Sequence, residues 1–514
     1  MDDLPSQNPS LSAGAATAKR AGMTDASRPE ARNPRGFVDR RARDLAAERA
    51  ILASVSAVYE RYGFELLETP AFEYADALGK FLPDADRPNE GVFALQDDPD
   101  IDSGQWLALR YDLTAPLARF AAQNWTTLPK PFRRYAFGLV WRDEKPGPGR
   151  YREFVQCDAD TVGSARPEAD AEIIAMAAEG LVAAGAPEGA AILKINSRKL
   201  LNGLMTAAGV VEEGQKLAVL RAVDKLDRLG EGGVRRLLGE GRLDESGAFT
   251  KGAGLTADAA ERVLAFTRAG AGRGETLDRL ANVIGGSAEG DEGLAELAAI
   301  EAALTSLGLG PDRAVFDPSV VRGLEYYTGA VFEAELLLET KDERGQAVRF
   351  GSVGGGGRYD DLVARFTGER TPATGFSFGV SRLAAALRAA GRDPAGEVRG
   401  PVVVIAFDQR RMADYFAVAA ELRAAGIAAE VYLGQSGMKA QMKYADRRLA
   451  PAAVIIGEDE FAAGTATVKD LDLGRSLSAG VADNAAWRAE RPGQLTVPRA
   501  ALVAAIRKIL EARA

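Results

Sequence analysis

Residues 132–163 read FRRYAFGLVWRDEKPGPGRYREFVQCDADTVG. The spacing predicts strands over 132–142 and 151–163, joined by the charged, Pro/Gly-rich loop 143–150, so the stretch is an antiparallel hairpin. Arg142 closes the first strand, and Arg150 and Arg152 open the second. A planar guanidinium binds phosphate through two parallel hydrogen bonds, so such a hairpin can aim arginines at an anion on the sheet face. Phe154 shares the face of Arg152 and is placed to stack on a base. Gln156, Asp158 and Asp160 continue that face, and a polar face on a buried strand calls for a polar ligand. Taken alone, the same text also fits a charged surface hairpin with an edge strand in water.

Working outward, residues 39–61 repeat Leu45, Ile51, Leu52, Val55 and Val58 at helical spacing. A short strand follows in ELLETP (65–70), and WLALRYDLT (106–114) reads as a strand running into a turn. A helix is expected from about Pro167 to Ala184. Residues 197–312 are rich in Ala, Leu, Gly and charge with few aromatics, which reads as an inserted helical module. Strand-like text returns over 313–340. VGGGGRYDD (353–361) reads as a glycine-rich turn entering a helix, and GFSFGVSRLAAALR (375–388) as a strand or tight turn before a helix. After a Gly/Pro-rich linker at 392–400, VVVIAF (402–407), AAEVYL (428–433) and AAVIIG (452–457) alternate with helical text, which implies a separate, largely parallel α/β domain. The divisions are therefore a disordered tail over 1–34, a mixed α+β region over 35–196 that resumes over 313–398, the insertion over 197–312, and an α/β domain over 399–514.

Composition excludes several chemistries. The chain has 514 residues, one cysteine, Cys157, and no histidine. An internal disulfide, a zinc site of several thiolates, a Ser-His-Asp triad and imidazole acid–base work are all ruled out. What is left is carboxylates, Arg, Lys, Tyr and backbone groups, a set suited to substrate positioning and phosphate chemistry. The net charge is −9, so a nucleic-acid partner must be held by a local patch. Residues 401–514 supply 15 Lys+Arg against 13 Asp+Glu, a mildly positive region in a negative chain. There Lys439, Lys443 and Arg447 recur every fourth residue and share a helix face, which suits RNA, although a solvated helix face gives the same pattern. No segment is long and apolar enough to span a membrane and no signal core opens the chain, so a cytoplasmic location is expected.

Other stretches carry weaker signals. RGLEYYTG (322–329) sets two adjacent tyrosines between glycines; in a strand they would face opposite ways, one to the core and one to a pocket. Four glycines at 354–357 permit close backbone approach to a ligand or form a flexible turn. Arg382 stands at the start of a helix, where an anion is favoured.

In this order the segments resemble a known family. YGFELLETP (62–70), LRYDLTAP (109–116), WRDEKPGPGRYREFVQCDADTVG (141–163), RGLEYYTGAVFE (322–333), GGGGRYDDLV (354–363) and GFSFGVSRL (375–383) are similar to the catalytic core of class II aminoacyl-tRNA synthetases, specifically the histidyl-tRNA synthetases. LGQSGMKAQMKYADRRLAPAAVIIGEDE (433–460) resembles that family's anticodon-binding domain. The resemblance implies an antiparallel-sheet catalytic domain with a helical insertion, plus a C-terminal α/β anticodon-binding domain. It implies ATP with Mg²⁺, L-histidine and histidine tRNA as partners, a homodimer formed near 62–70, and no DNA or membrane partner. Arg142 and Arg322 would sit at the α-phosphate as the catalytic arginines, Glu144 and Phe154 at the adenine, and Arg382 at the γ-phosphate. Asp112, Thr114 and Gln156 would hold the α-amino group of histidine; Asp160, Tyr327 and Tyr359 would hold its imidazole. Lys439, Lys443 and Arg447 would face the tRNA. The carboxylates are the shorter Asp112 and Asp160, and the hairpin reads Asp143-Glu144-Lys145, both departures from the commoner bacterial pattern. The rival reading is the synthetase-like regulatory subunit of ATP phosphoribosyltransferase; the intact Arg142, Arg322 and Arg382 and the C-terminal domain weigh against it.

Overall fold

The protein is described by a computed structural model covering residues 30–78, 91–96, 106–147, 150–243, 247–270, 272–284, 286–321, 326–341, 347–348, 350–396, 398–478 and 493–512. The expected tail over 1–34 lies outside these residues as far as position 29. The chain forms two compact units that divide between Pro394 and Ala395.

The first unit is built on an eight-stranded sheet. Its strands are β1 (Glu65–Leu66), β2 (Phe132–Trp141), β3 (Glu153–Val162), β4 (Ala191–Ser197), β5 (Ala314–Phe316), β6 (Ala330–Leu336), β7 (Gly351–Arg358) and β8 (Ala373–Gly379). They lie in the order β1-β2-β3-β8-β7-β6-β4-β5. The pairings from β2 through to β4 are antiparallel, and only β1 on β2 and β5 on β4 run parallel. The β2–β3 hairpin has the expected register, with Phe132 opposite Val162 and Trp141 opposite Glu153. It lies inside the sheet, so β3 is buried along nearly its whole length.

Two helices pack together beside this sheet, α1 (Ala42–Arg61) and α3 (Pro167–Ala183). Ala47, Ile51, Val55, Val58 and Tyr59 of α1 recur on one face and are fully buried. A further helix, α2 (Thr114–Asn124), is not among the sequence expectations. Asp112 starts it, accepting hydrogen bonds from the Thr114 and Ala115 amides at 3.2 and 2.9 Å. Between β4 and β5 run helices from Arg198–Ala207 to Ala288–Ser306, together with a short hairpin, Gly241–Leu243 on Phe249–Lys251.

The glycine run corrects the sequence reading. Residues 353–358 are not a turn; they belong to β7, paired on both edges. Glycine is needed there because neighbours occupy the space of a side chain. A Cβ on Gly356 would lie 2.1 Å from the Gly375 carbonyl oxygen and 2.8 Å from the Phe332 ring. Gly356→Ala is therefore expected to destabilise the protein by about 1–3 kcal/mol, the usual cost of overpacking. A chemical-denaturation series reads the loss directly; an unchanged midpoint would show that β7 can shift to accept the methyl.

The second unit carries a five-stranded sheet, β9 (Val402–Val404), β10 (Ala429–Val431), β11 (Ala452–Ile455), β12 (Thr465–Asp470) and β13 (Gln494–Pro498), in the order β10-β9-β11-β12-β13. The "largely parallel" expectation needs correction. β9 pairs parallel with β10 and β11, but β11–β12 and β12–β13 are antiparallel. The sequence reading stopped at 457, before the two strands that reverse direction. Helix Met438–Arg447 carries Lys439, Lys443 and Arg447, all exposed.

Candidate active site

A cavity of about 620 Å³ opens on one face of the eight-stranded sheet. Gln156, Asp158 and Asp160 line it from β3, as their alternation requires. Asp112 and Thr114 reach it from the start of α2, Tyr359 from just beyond β7 and Tyr327 from just before β6. Arg142, Glu144 and Phe154 line it from the β2–β3 hairpin, and Arg382 from the first turn of α4 (Val380–Ala389). Eleven side chains singled out from the sequence thus share one cavity. Arg322 lies outside the described residues.

At one end Asp160 is gripped from three sides. Tyr359 donates its hydroxyl to Oδ1, and Arg134 forms an ion pair with Oδ2 at 2.9 Å. Gly375 stands opposite Asp160 in the β3–β8 register, where a Cβ would lie 1.9 Å from Oδ1. Burial pushes the Asp160 carboxyl up, and Arg134 and Tyr359 pull it back. The Tyr359 phenol is raised well above its ordinary value by burial and by the adjacent Asp160. It therefore stays protonated, and its oxygen can still accept a hydrogen bond from a ligand.

The two adjacent tyrosines do not divide between core and pocket as a strand would require. Residues 326–327 lie outside any strand, and both rings line the cavity, centroids 4.3 Å apart, with the Tyr326 hydroxyl donating to that of Tyr327 at 3.0 Å. The alternation rule fails there because the strand begins only at Ala330.

Toward the hairpin, Arg142 Nε donates to the Tyr111 carbonyl at 3.0 Å, and its guanidinium lies 5.3 Å from the Phe154 ring centroid. The backbone anchor fixes the fork beside the ring. Arg152, expected on the same face as Phe154, turns away instead. It pairs with Asp143 at 2.8 Å and donates to the Glu144 carbonyl at 3.1 Å, bracing the hairpin. Arg382 is set by its helix: Ser381 donates to Glu48 at 2.5 Å and accepts from the Val155 amide at 3.0 Å, and Arg40 holds Glu48 at 2.7 Å.

Sequence reasoning missed Arg134, Gly375, Glu333 and Tyr326 as parts of the site. Arg134 has a signal in hindsight: a charged residue at an inward position of a strand facing an aspartate. Asp158 was noticed only as a member of a polar face. It is 1% exposed and its carboxyl is pushed up to about 8, chiefly by burial, against the pull of Arg134. The folded protein thus keeps this proton above the ordinary value of 3.8, where the unfolded chain releases it. The associated stability is full below about pH 4 and is lost as pH climbs toward 8. Asp158→Asn removes that loss. Its melting temperature should exceed the wild-type value by a margin that widens between about pH 5 and 8; a constant margin across a pH series of melts would contradict this.

Comparison with known proteins follows the same division of the chain. Residues 36–383 match the family model described as histidyl-tRNA synthetase, and residues 401–508 match the anticodon binding domain. The chain is 76% identical over 485 residues to a histidine–tRNA ligase of Caulobacter vibrioides, covering 94% of this chain and 97% of that protein. It is 56% identical over 495 residues to the histidine–tRNA ligase of Brucella suis biovar 1, covering 95% and 98%. Among solved structures, it is similar to histidyl-tRNA synthetase from Nostoc sp. PCC 7120, with a TM-score of 0.68, 28% identity, and coverage of 94% of this chain and all of that one.

Proposed function

This chain belongs to the histidyl-tRNA synthetase family, and from that premise we propose how its residues carry out the ATP-dependent joining of L-histidine to its cognate tRNA. The observation that carries the proposal is the shared cavity, with a braced Asp160–Tyr359 pair at one end and Arg142 beside Phe154 at the other.

Histidine lies with its imidazole at Asp160, Tyr359 and Tyr327 and its amine at Asp112, Thr114 and Gln156. ATP lies with adenine at Phe154 and Glu144 and its γ-phosphate at Arg382. Arg142, with Arg322, holds the α-phosphate. A histidine carboxylate oxygen attacks the α-phosphorus; the bond to the bridging oxygen breaks, and pyrophosphate leaves with the electron pair. The ribose hydroxyl at the tRNA 3′ end then attacks the acyl carbon and AMP departs. Each step depends on alignment and on stabilising phosphate charge, which fixed guanidinium groups supply without a histidine base. Among the described residues no three metal-ligating side chains gather into a site. Glu333, also on the cavity wall, would suit Mg²⁺ that arrives chelated by the ATP phosphates.

The catalytic domain is assigned to 35–196 and 313–398, the insertion to 197–312, and the anticodon-binding domain to 399–514, where exposed Lys439, Lys443 and Arg447 face tRNA. The family matches at 36–383 and 401–508 support the boundary near residue 399. The protein is assigned to the cytoplasm as a homodimer; exposed Leu66, Phe72, Tyr74 and Phe137 near β1 support a self-association surface. The test is aminoacylation of a histidine tRNA transcript with labelled histidine. Charging that requires ATP supports the account. A folded protein that charges no histidine tRNA contradicts it.

A further inference from the structure

Three acceptor atoms on the cavity floor have no donor. Both carboxylate oxygens of Asp158 and Oε1 of Gln156 are buried without a hydrogen bond. Ser377 faces Asp158 from β8 and weakens its proton affinity slightly without closing a hydrogen bond of ordinary geometry. Gln156 and Asp158 are two residues apart on β3, so they share a face about 6.7 Å apart along the strand. Buried carboxyl oxygens with no partner are costly unless a ligand completes them.

The missing group can be named by its chemistry. Asp160 already holds a cation, Arg134, and a hydroxyl, Tyr359. Asp158 feels Arg134 and Arg110 through their fields, opposed by Asp160 and Asp112. A group that fits beside Gln156 and Asp158 must bring several N–H donors and a positive charge. A primary ammonium does both. We infer that Asp158 is a specificity-determining residue that accepts the substrate's α-ammonium group together with Gln156, an inference that rests on the proposed reaction.

Proton balance follows from the surroundings. Asp158 is faced by Arg134 and Arg110 as cations, by Asp160 and Asp112 as acids, and by Tyr59 and neighbouring Cys157, both protonated. Without a bound amine its carboxyl keeps a proton near neutral pH. When the ammonium arrives, that proton leaves to the buffer and an ammonium–carboxylate pair forms.

The experiment is titration calorimetry near pH 7 on the full chain, in buffers of differing ionisation enthalpy, with L-histidine and with 3-(imidazol-4-yl)propionate, which lacks the amine. The wild type should release a proton on binding histidine. Asp158→Asn should release less and bind histidine about 10- to 100-fold more weakly, while its affinity for the propionate stays within about twofold of wild type. Equal losses for both ligands would mark a structural or imidazole-reading role and overturn the inference. So would unchanged histidine affinity, or wild-type binding without proton release, which can be read even if the variant fails to fold. Failure of the wild type to bind histidine at all would overturn the underlying reaction assignment as well.

Discussion

Arg142→Gln is expected to lower the rate of adenylate formation about 10³-fold while leaving the affinity for histidine within a few-fold of wild type. The size follows from the group lost. Arg142 is held at the cavity wall by one bond from Nε to the Tyr111 carbonyl, which leaves its terminal nitrogens to face the phosphate. A preorganised guanidinium costs little reorganisation as charge develops, and glutamine carries neither the charge nor the fork. Stability should change little, because Arg142 is only partly buried and makes no described ion pair. Single-turnover kinetics separates the two parameters. A rise in the histidine dissociation constant with an unchanged rate would place Arg142 at the amino acid instead.

The second large effect is at Asp160. Asp160→Asn should lower kcat/KM for histidine about 10²- to 10⁴-fold, through the lost charge and the replacement of one acceptor oxygen by an NH₂ donor, the remaining oxygen still accepting from Tyr359. Two effects compete in stability. Removing one member of a buried ion pair typically costs about 3–5 kcal/mol, here by leaving Arg134 without Asp160. Asp158 lies within the field of the same arginine and can ionise in its place. The melting loss should therefore fall below that range, and Asp158→Asn combined with Asp160→Asn should lose more than the two single changes summed. Additive losses in the double-mutant cycle would show that Asp158 does not compensate.

The legible parts of this fold were those whose signal is local. Strand alternation over 132–163 placed Phe154, Gln156 and Asp160 on one face, and that is where they lie. Helix α1 followed from apolar spacing, and α3 and α4 also lie where helical text was read. Errors came where tertiary packing decides. Four glycines carry no apolar periodicity, so nothing local marks β7 as a strand; the reason for glycine lies in Gly375 and Phe332 on neighbouring strands. Helix α2 was hidden because its cap is an aspartate that also resembled a ligand residue. Arg134 was overlooked because its significance depends on Asp160 in the strand opposite. Resemblance assigned roles to Arg142, Arg382 and Tyr359 that spacing alone left open. It did not assign Asp158, whose unpartnered oxygens become visible only in three dimensions.

The most direct test of the central claim, that this cavity reads histidine and activates it, is amino-acid-dependent ATP–pyrophosphate exchange on the full chain. The account predicts robust exchange with histidine, none with the other standard amino acids, and near-complete loss in Arg142→Gln. A folded protein that shows no exchange with histidine, or equal exchange with a second amino acid, would contradict it.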